Sequence, residues 1–165
     1  MLGAMAEVEV GGRRRLAQVA FFCAIAMVVL GVGLLTVHLI GVAASSAGPG
    51  AGAPWLRTPQ VILSSLRQLV SMLAFGVGAV LLVIARSKSG QRGGLYLTAG
   101  VLLQWAWLLI VYRVLFGSRR GGAFVSFAAV DLAVTLVQFG LFYLALRALG
   151  RALDLTWVRD STTGD

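Results

Sequence analysis

The chain has 165 residues, 59% of them hydrophobic and only 12% charged, with a formal net charge of +8. Soluble domains carry about a quarter charged residues, so a soluble body is excluded. The basic residues lie at the ends of apolar blocks and form no stripe along one, which argues against nucleic acid as a partner and for contact with membrane lipids.

Four apolar blocks can be drawn, at 16–44, 60–85, 94–116 and 122–147. Each reaches the ~20 residues that a helix needs to cross a bilayer. Little chain remains between or around them, so the expectation is all-α: a single transmembrane domain over 1–165, built as an integral membrane four-helix bundle with short loops. Short connections make consecutive helices antiparallel neighbours, in up-down-up-down order.

The first block follows Arg13–Arg15 and ends near the small residues Ala43–Ala47, a pattern shared with secretory signal peptides. Signal cores run only ~7–15 apolar residues, and this stretch is far longer, so it reads as a true span. Within it Ala17, Ala24, Gly31 and His38 recur every seventh residue, interleaved with Ala20, Met27, Leu34 and Gly41. Cys23 is the single cysteine, which excludes an intramolecular disulfide and a CxxC motif. Mid-span it reads as a small hydrophobe. Residues 45–59 are rich in Gly, Pro and Ala and read as a mobile loop, with Trp55 as an interfacial anchor.

The second block repeats the device: Ser64, Ser71, Gly78 and Ala85 recur every seventh residue, with Arg67, Ala74 and Leu81 between them. Small residues let membrane helices approach closely. The two stripes therefore predict a tight hairpin in which the first and second spans pack through these faces. By the same logic Gly31, Gly33, Gly76 and Gly78 read as close-packing glycines.

A basic turn at 87–93 leads into the third block, where Gly100, Gln104 and Trp107 share a stripe and Arg113 points roughly opposite to Gln104. Trp105 and Trp107 fall mid-span instead of at an interface and read as packing or lipid-facing residues, with a bound lipid, quinone or pigment as the alternative. A tight turn at 117–122 precedes the fourth block, whose stripe is Asp131, Thr135 and Gln138. The polar tail 148–165 is expected to lie on the membrane surface.

Charge counting sets the orientation. With the N-terminus inside, Arg13, Arg14, Arg15, Arg86, Lys88, Arg92, Arg147, Arg151 and Arg159 fall inside, and Arg57, Arg119 and Arg120 outside. The imbalance puts both termini in the cytoplasm, and the expected location is the inner (plasma) membrane of a bacterium.

Two charges, Arg67 and Asp131, lie within spans, where each costs about 2.5–3.5 kcal/mol to insert near a helix centre. Counted at about 1.5 Å per residue from the outer ends, His38, Arg67 and Asp131 reach comparable depths of roughly 10–14 Å. Three readings follow: an ion pair between Arg67 and Asp131 that fixes packing, contact with another subunit, or a water-filled site for an ion or anionic substrate. His38, Gln104 and Gln138 read first as interhelical or partner contacts. His38, Arg67, Arg113 and Asp131 together make a candidate ligand pocket.

No HExxH, GxSxG, P-loop or paired carboxylates on one helix occur. A single histidine and cysteine supply too few ligands for a metal centre, and no cofactor is predicted. The leading functional expectation is a small non-enzymatic subunit that packs into and stabilises a larger membrane complex in energy conversion, transport or secretion, with other membrane subunits as partners. The alternative is a small transporter or channel whose outer-half polar pocket favours anions.

Overall fold

The computed structural model describes residues 2–46, 55, 57–117 and 124–154, and side chains within 12–41, 43, 55, 57–111 and 130–154 of these. Its elements are α1 (Leu2–Ser46), α2 (Arg57–Ile84), α3 (Lys88–Gly117) and α4 (Phe124–Ala152). All four are long and apolar enough to cross a membrane, over Gly12–Gly41, Arg57–Ile84, Lys88–Val111 and Val130–Ala152. The chain is a multi-pass transmembrane helix bundle. Residues 47–54 of the expected loop, residues 118–123 with Arg119 and Arg120, and the tail beyond Asp154 lie outside the described residues. Trp55 is described and is exposed.

Neighbours in sequence are neighbours in space. α1 packs on α2, α2 on α3 and α3 on α4, while α4 closes the ring against α1. α1 and α3 barely meet, so they lie across a diagonal, as do α2 and α4. Arg13, Ile84, Gly90 and Ala152 gather around one cavity, and His38, Gln60, Val111 and Asp131 around another. The first set comprises the start of α1, the end of α2, the start of α3 and the end of α4. The helices therefore alternate in direction, and both chain termini leave from the same end.

Two boundaries differ most from the sequence expectation. α1 begins at Leu2, well before the apolar block. α3 begins at Lys88, absorbing most of the expected basic turn into helix. The reason is local capping: Ser87 sits at the N-cap, where its Oγ accepts from Gly90 N at 3.1 Å, and Gln91 Nε2 donates to Ala85 O at 2.9 Å. One short segment thus satisfies orphan groups of two helix ends. At the far end of the chain, Asp154 adopts a positive φ of 54° and its N–H donates to Arg151 O, closing α4.

The core follows the sequence stripes. Ala17, Ala20, Ala24 and Met27 are buried on α1; Ser71, Ala74, Gly78 and Leu81 are buried on α2. Two glycines on these stripes, however, meet other helices. A Cβ on Gly31 would meet the Phe139 ring of α4 at 2.8 Å, and one on Gly78 would meet Thr98 Oγ1 at 2.6 Å and Gly94 O at 3.2 Å on α3. In a four-helix ring each helix has two neighbours and turns its buried stripe inward, so a glycine recess on α1 can receive an aromatic from α4. The expected α1–α2 hairpin forms, while Gly31 and Gly78 on its two stripes meet α4 and α3. Gly33 makes ordinary contact with Leu63, and Gly76 faces open space, so neither is a close-packing glycine. Backbones approach closely between α2 and α3, where a Cβ on Gly94 would come within 2.7 Å of Gly78 O.

Candidate functional site

At the end of the bundle opposite the termini, a cavity of about 540 Å³ opens between the helices. All four contribute: Gly31 and His38 from α1, Ser64, Arg67 and Gln68 from α2, Gln104 and Trp107 from α3, Asp131, Thr135 and Gln138 from α4. The antiparallel alternation of the helices creates this convergence. His38 and Trp107 lie late in their helices, whereas Arg67 and Asp131 lie early in theirs, so alternate directions bring them to one level. A lining from every helix makes this an axial chamber, not a groove on a lipid-facing flank.

Arg67 and Asp131 share the chamber without pairing. Arg67 Nη2 donates to Gln138 Oε1 at 2.8 Å, spanning the α2–α4 diagonal. Asp131 Oδ1 accepts from Trp107 Nε1 at 2.6 Å, joining α4 to α3. No ion pair between them is found among the described residues, although the Asp131 charge acts on Arg67 at longer range. The ion pair expected from the sequence is replaced by two charge-to-neutral hydrogen bonds. These satisfy part of each group's hydrogen-bonding capacity and leave both charges facing the same space.

Further polar atoms surround the charges. Gln104 and Gln138 are buried. Gln104 Oε1 and Arg67 Nε have no hydrogen-bond partner, a cost of about 1–3 kcal/mol for each such buried group. Just below, Trp105 Nε1 donates to Ser71 Oγ at 3.2 Å, and Ser71 Oγ in turn donates to Gln68 O at 2.7 Å. The Trp105 ring also packs on Phe75 with centroids 5.2 Å apart. Both mid-span tryptophans therefore have their N–H groups bonded inside the bundle.

His38 lines the chamber and is exposed. Arg113 lies in α3, but its side chain is outside the described residues. The structure thus brings together His38, Arg67, Gln104, Asp131 and Gln138. Sequence reasoning missed Trp107 as the partner of Asp131, and missed Gln60, Ser64 and Gln68 as lining. The available signal was chemical: an indole N–H far from the interface requires an acceptor, and Trp107 already shared a stripe with Gln104.

Beneath the chamber the packing is mainly apolar. Ala20, Ala24, Met27, Ala74, Leu97, Val101, Phe142 and Ala145 are buried and form one apolar cluster. Beyond this layer, at the end carrying the termini, a second cavity of about 360 Å³ opens. Among the described residues, an apolar layer lies between these two cavities.

Comparison of the chain with family models, curated proteins and solved structures finds no match.

Proposed function

We propose that the chain is a small, non-enzymatic membrane transporter or channel that receives a small hydrophilic solute bearing an anionic group in the chamber opposite the termini. The carrying observation is that Arg67 and Asp131 face one axial cavity lined by all four helices, each bonded to a neutral side chain and not to the other. Charges that face a cavity at membrane depth call for water or a ligand. The volume of about 540 Å³ falls among small-molecule sites, typically about 300–1,000 Å³, so a solute larger than a bare ion fits. Arg67 supplies the attraction for its anionic group, while Asp131, His38 and Gln104 provide polar selection around it.

Under this reading the apolar layer around Met27, Val101 and Phe142 is the gate. The host membrane is a bacterial inner membrane, with the termini in the cytoplasm. Uptake of labelled small carboxylates and phosphate esters into proteoliposomes tests the proposal. The expected result is uptake above protein-free vesicles that Arg67→Gln abolishes. Absence of uptake across the panel, or equal uptake by Arg67→Gln, contradicts it.

A second reading is favoured by the same apolar layer and by α1. The apolar layer separates the two cavities, and α1 begins at Leu2, fourteen residues before the apolar block that starts at residue 16. Both features suit a subunit that stabilises a larger membrane complex. Co-purification with other membrane chains in mild detergent supports this reading, and a monodisperse monomer contradicts it.

A further inference from the structure

The second cavity has a different chemistry from the first. Arg13 and Arg14 at the start of the α1 span and Arg86 in the α2–α3 turn all line it, against one acid, Asp154. Among the described residues no ion pair joins Arg14 or Arg86 to that acid, so the cavity carries a surplus of positive charge. Its wall also includes Ser87 and Gly90 from the first turn of α3. The positive end of that helix dipole adds to the arginines.

The remaining wall is apolar, formed by Leu16, Leu81, Ile84 and Leu153. Ile84 keeps 45% of its surface exposed, and its neighbours Leu82 and Val83 are exposed at 41% and 80%. The apolar wall is therefore continuous with the outward-facing surface of α2. A free inorganic anion would use the arginines and leave this wall unused. A membrane lipid uses both, with its phosphate among the arginines and its glycerol and first acyl carbons against the leucines and Ile84.

We propose that this cavity is a binding site for one anionic phospholipid, held at the end of the bundle that carries the termini. The lipid's phosphate bridges the start of α1 to the α2–α3 turn. By neutralising Arg14 and Arg86 together it locks that end of the bundle. This site is independent of the solute chamber and of the transport reading.

Native mass spectrometry of the full-length protein, released from bilayers of phosphatidylcholine with phosphatidylglycerol, reads the bound lipid directly. The expected wild-type result is one retained phosphatidylglycerol in preference to phosphatidylcholine. The Arg14→Gln/Arg86→Gln double variant should weaken retention roughly 30-fold, at about 1 kcal/mol per arginine. The matched Arg92→Gln/Arg151→Gln variant removes the same charge from exposed positions outside the cavity and should retain the lipid.

Equal losses in the two double variants would overturn the site in favour of bulk surface charge. Equal retention of phosphatidylcholine would overturn its anion selectivity. Displacement of the lipid by inorganic phosphate would reassign the cavity to a free anion. If the Arg14→Gln/Arg86→Gln protein loses its helical circular dichroism, the two lipid-competition outcomes on the wild-type chain decide the matter.

Discussion

Arg67 and Gln138 are joined by a 2.8 Å hydrogen bond across the diagonal of the bundle. The bond ties together two helices that otherwise scarcely touch, and it holds the guanidinium at the wall of the chamber opposite the termini. Asp131, about two helical turns from Gln138 on α4, is left to Trp107. The arrangement keeps opposite charges apart within one polar space.

A double-mutant cycle distinguishes this arrangement from a direct ion pair. Arg67→Ala with Gln138→Ala should show a coupling of about 0.6–1.7 kcal/mol, the range for hydrogen bonds between membrane helices. The Arg67→Ala with Asp131→Ala cycle should give a smaller coupling. Thermal unfolding in detergent measures both, and the reverse order would restore the ion pair.

Asp131 acts through an acceptor oxygen toward Trp107 and through its charge toward the chamber. Asp131→Asn keeps an acceptor and should hold stability within about 0.5 kcal/mol of wild type. Asp131→Leu leaves the Trp107 N–H short of this acceptor and should cost about 1–3 kcal/mol. The two variants should therefore separate in unfolding midpoint while both lose the charge that conditions solute selection.

Much of the bundle was legible in the sequence because membrane spans and inward stripes are written in residue size. Ser71, Ala74, Gly78 and Leu81 lie on the predicted stripe of α2, and all are buried. The partner of each stripe was not legible. Spacing gives the direction a residue faces on its own helix, whereas the neighbour it meets depends on how four helices close into a ring; hence Gly31 receives Phe139. Likewise, depth counting placed His38, Arg67 and Asp131 at one level, and they share a cavity. It could not see that Gln138 and Trp107 would take the hydrogen bonds, because side-chain pairing turns on rotation about each helix axis.

Glycine substitutions test the ring itself. Gly94→Ala drives a methyl to 2.7 Å from Gly78 O and 3.0 Å from Leu82 N. Backbone cannot yield as a side chain can, so a loss of about 1–3 kcal/mol is expected. Gly76→Ala meets nothing within 4 Å and should be neutral or slightly stabilising, by up to about 1 kcal/mol from helix propensity. SDS-titrated unfolding reads both. Equal effects would mean that the α2–α3 contact is looser than described.

If Arg67 and Asp131 face a hydrated chamber open at the end opposite the termini, thiols placed on its wall must be reachable from that side. In a Cys23→Ala background, Thr135→Cys and Ser64→Cys place a thiol on the chamber wall, and Ala74→Cys places one in the apolar layer. A membrane-impermeant thiol reagent applied from the face opposite the termini should label the first two and spare the third. Protection of Thr135→Cys and Ser64→Cys from that face, to the same degree as Ala74→Cys, would contradict the account.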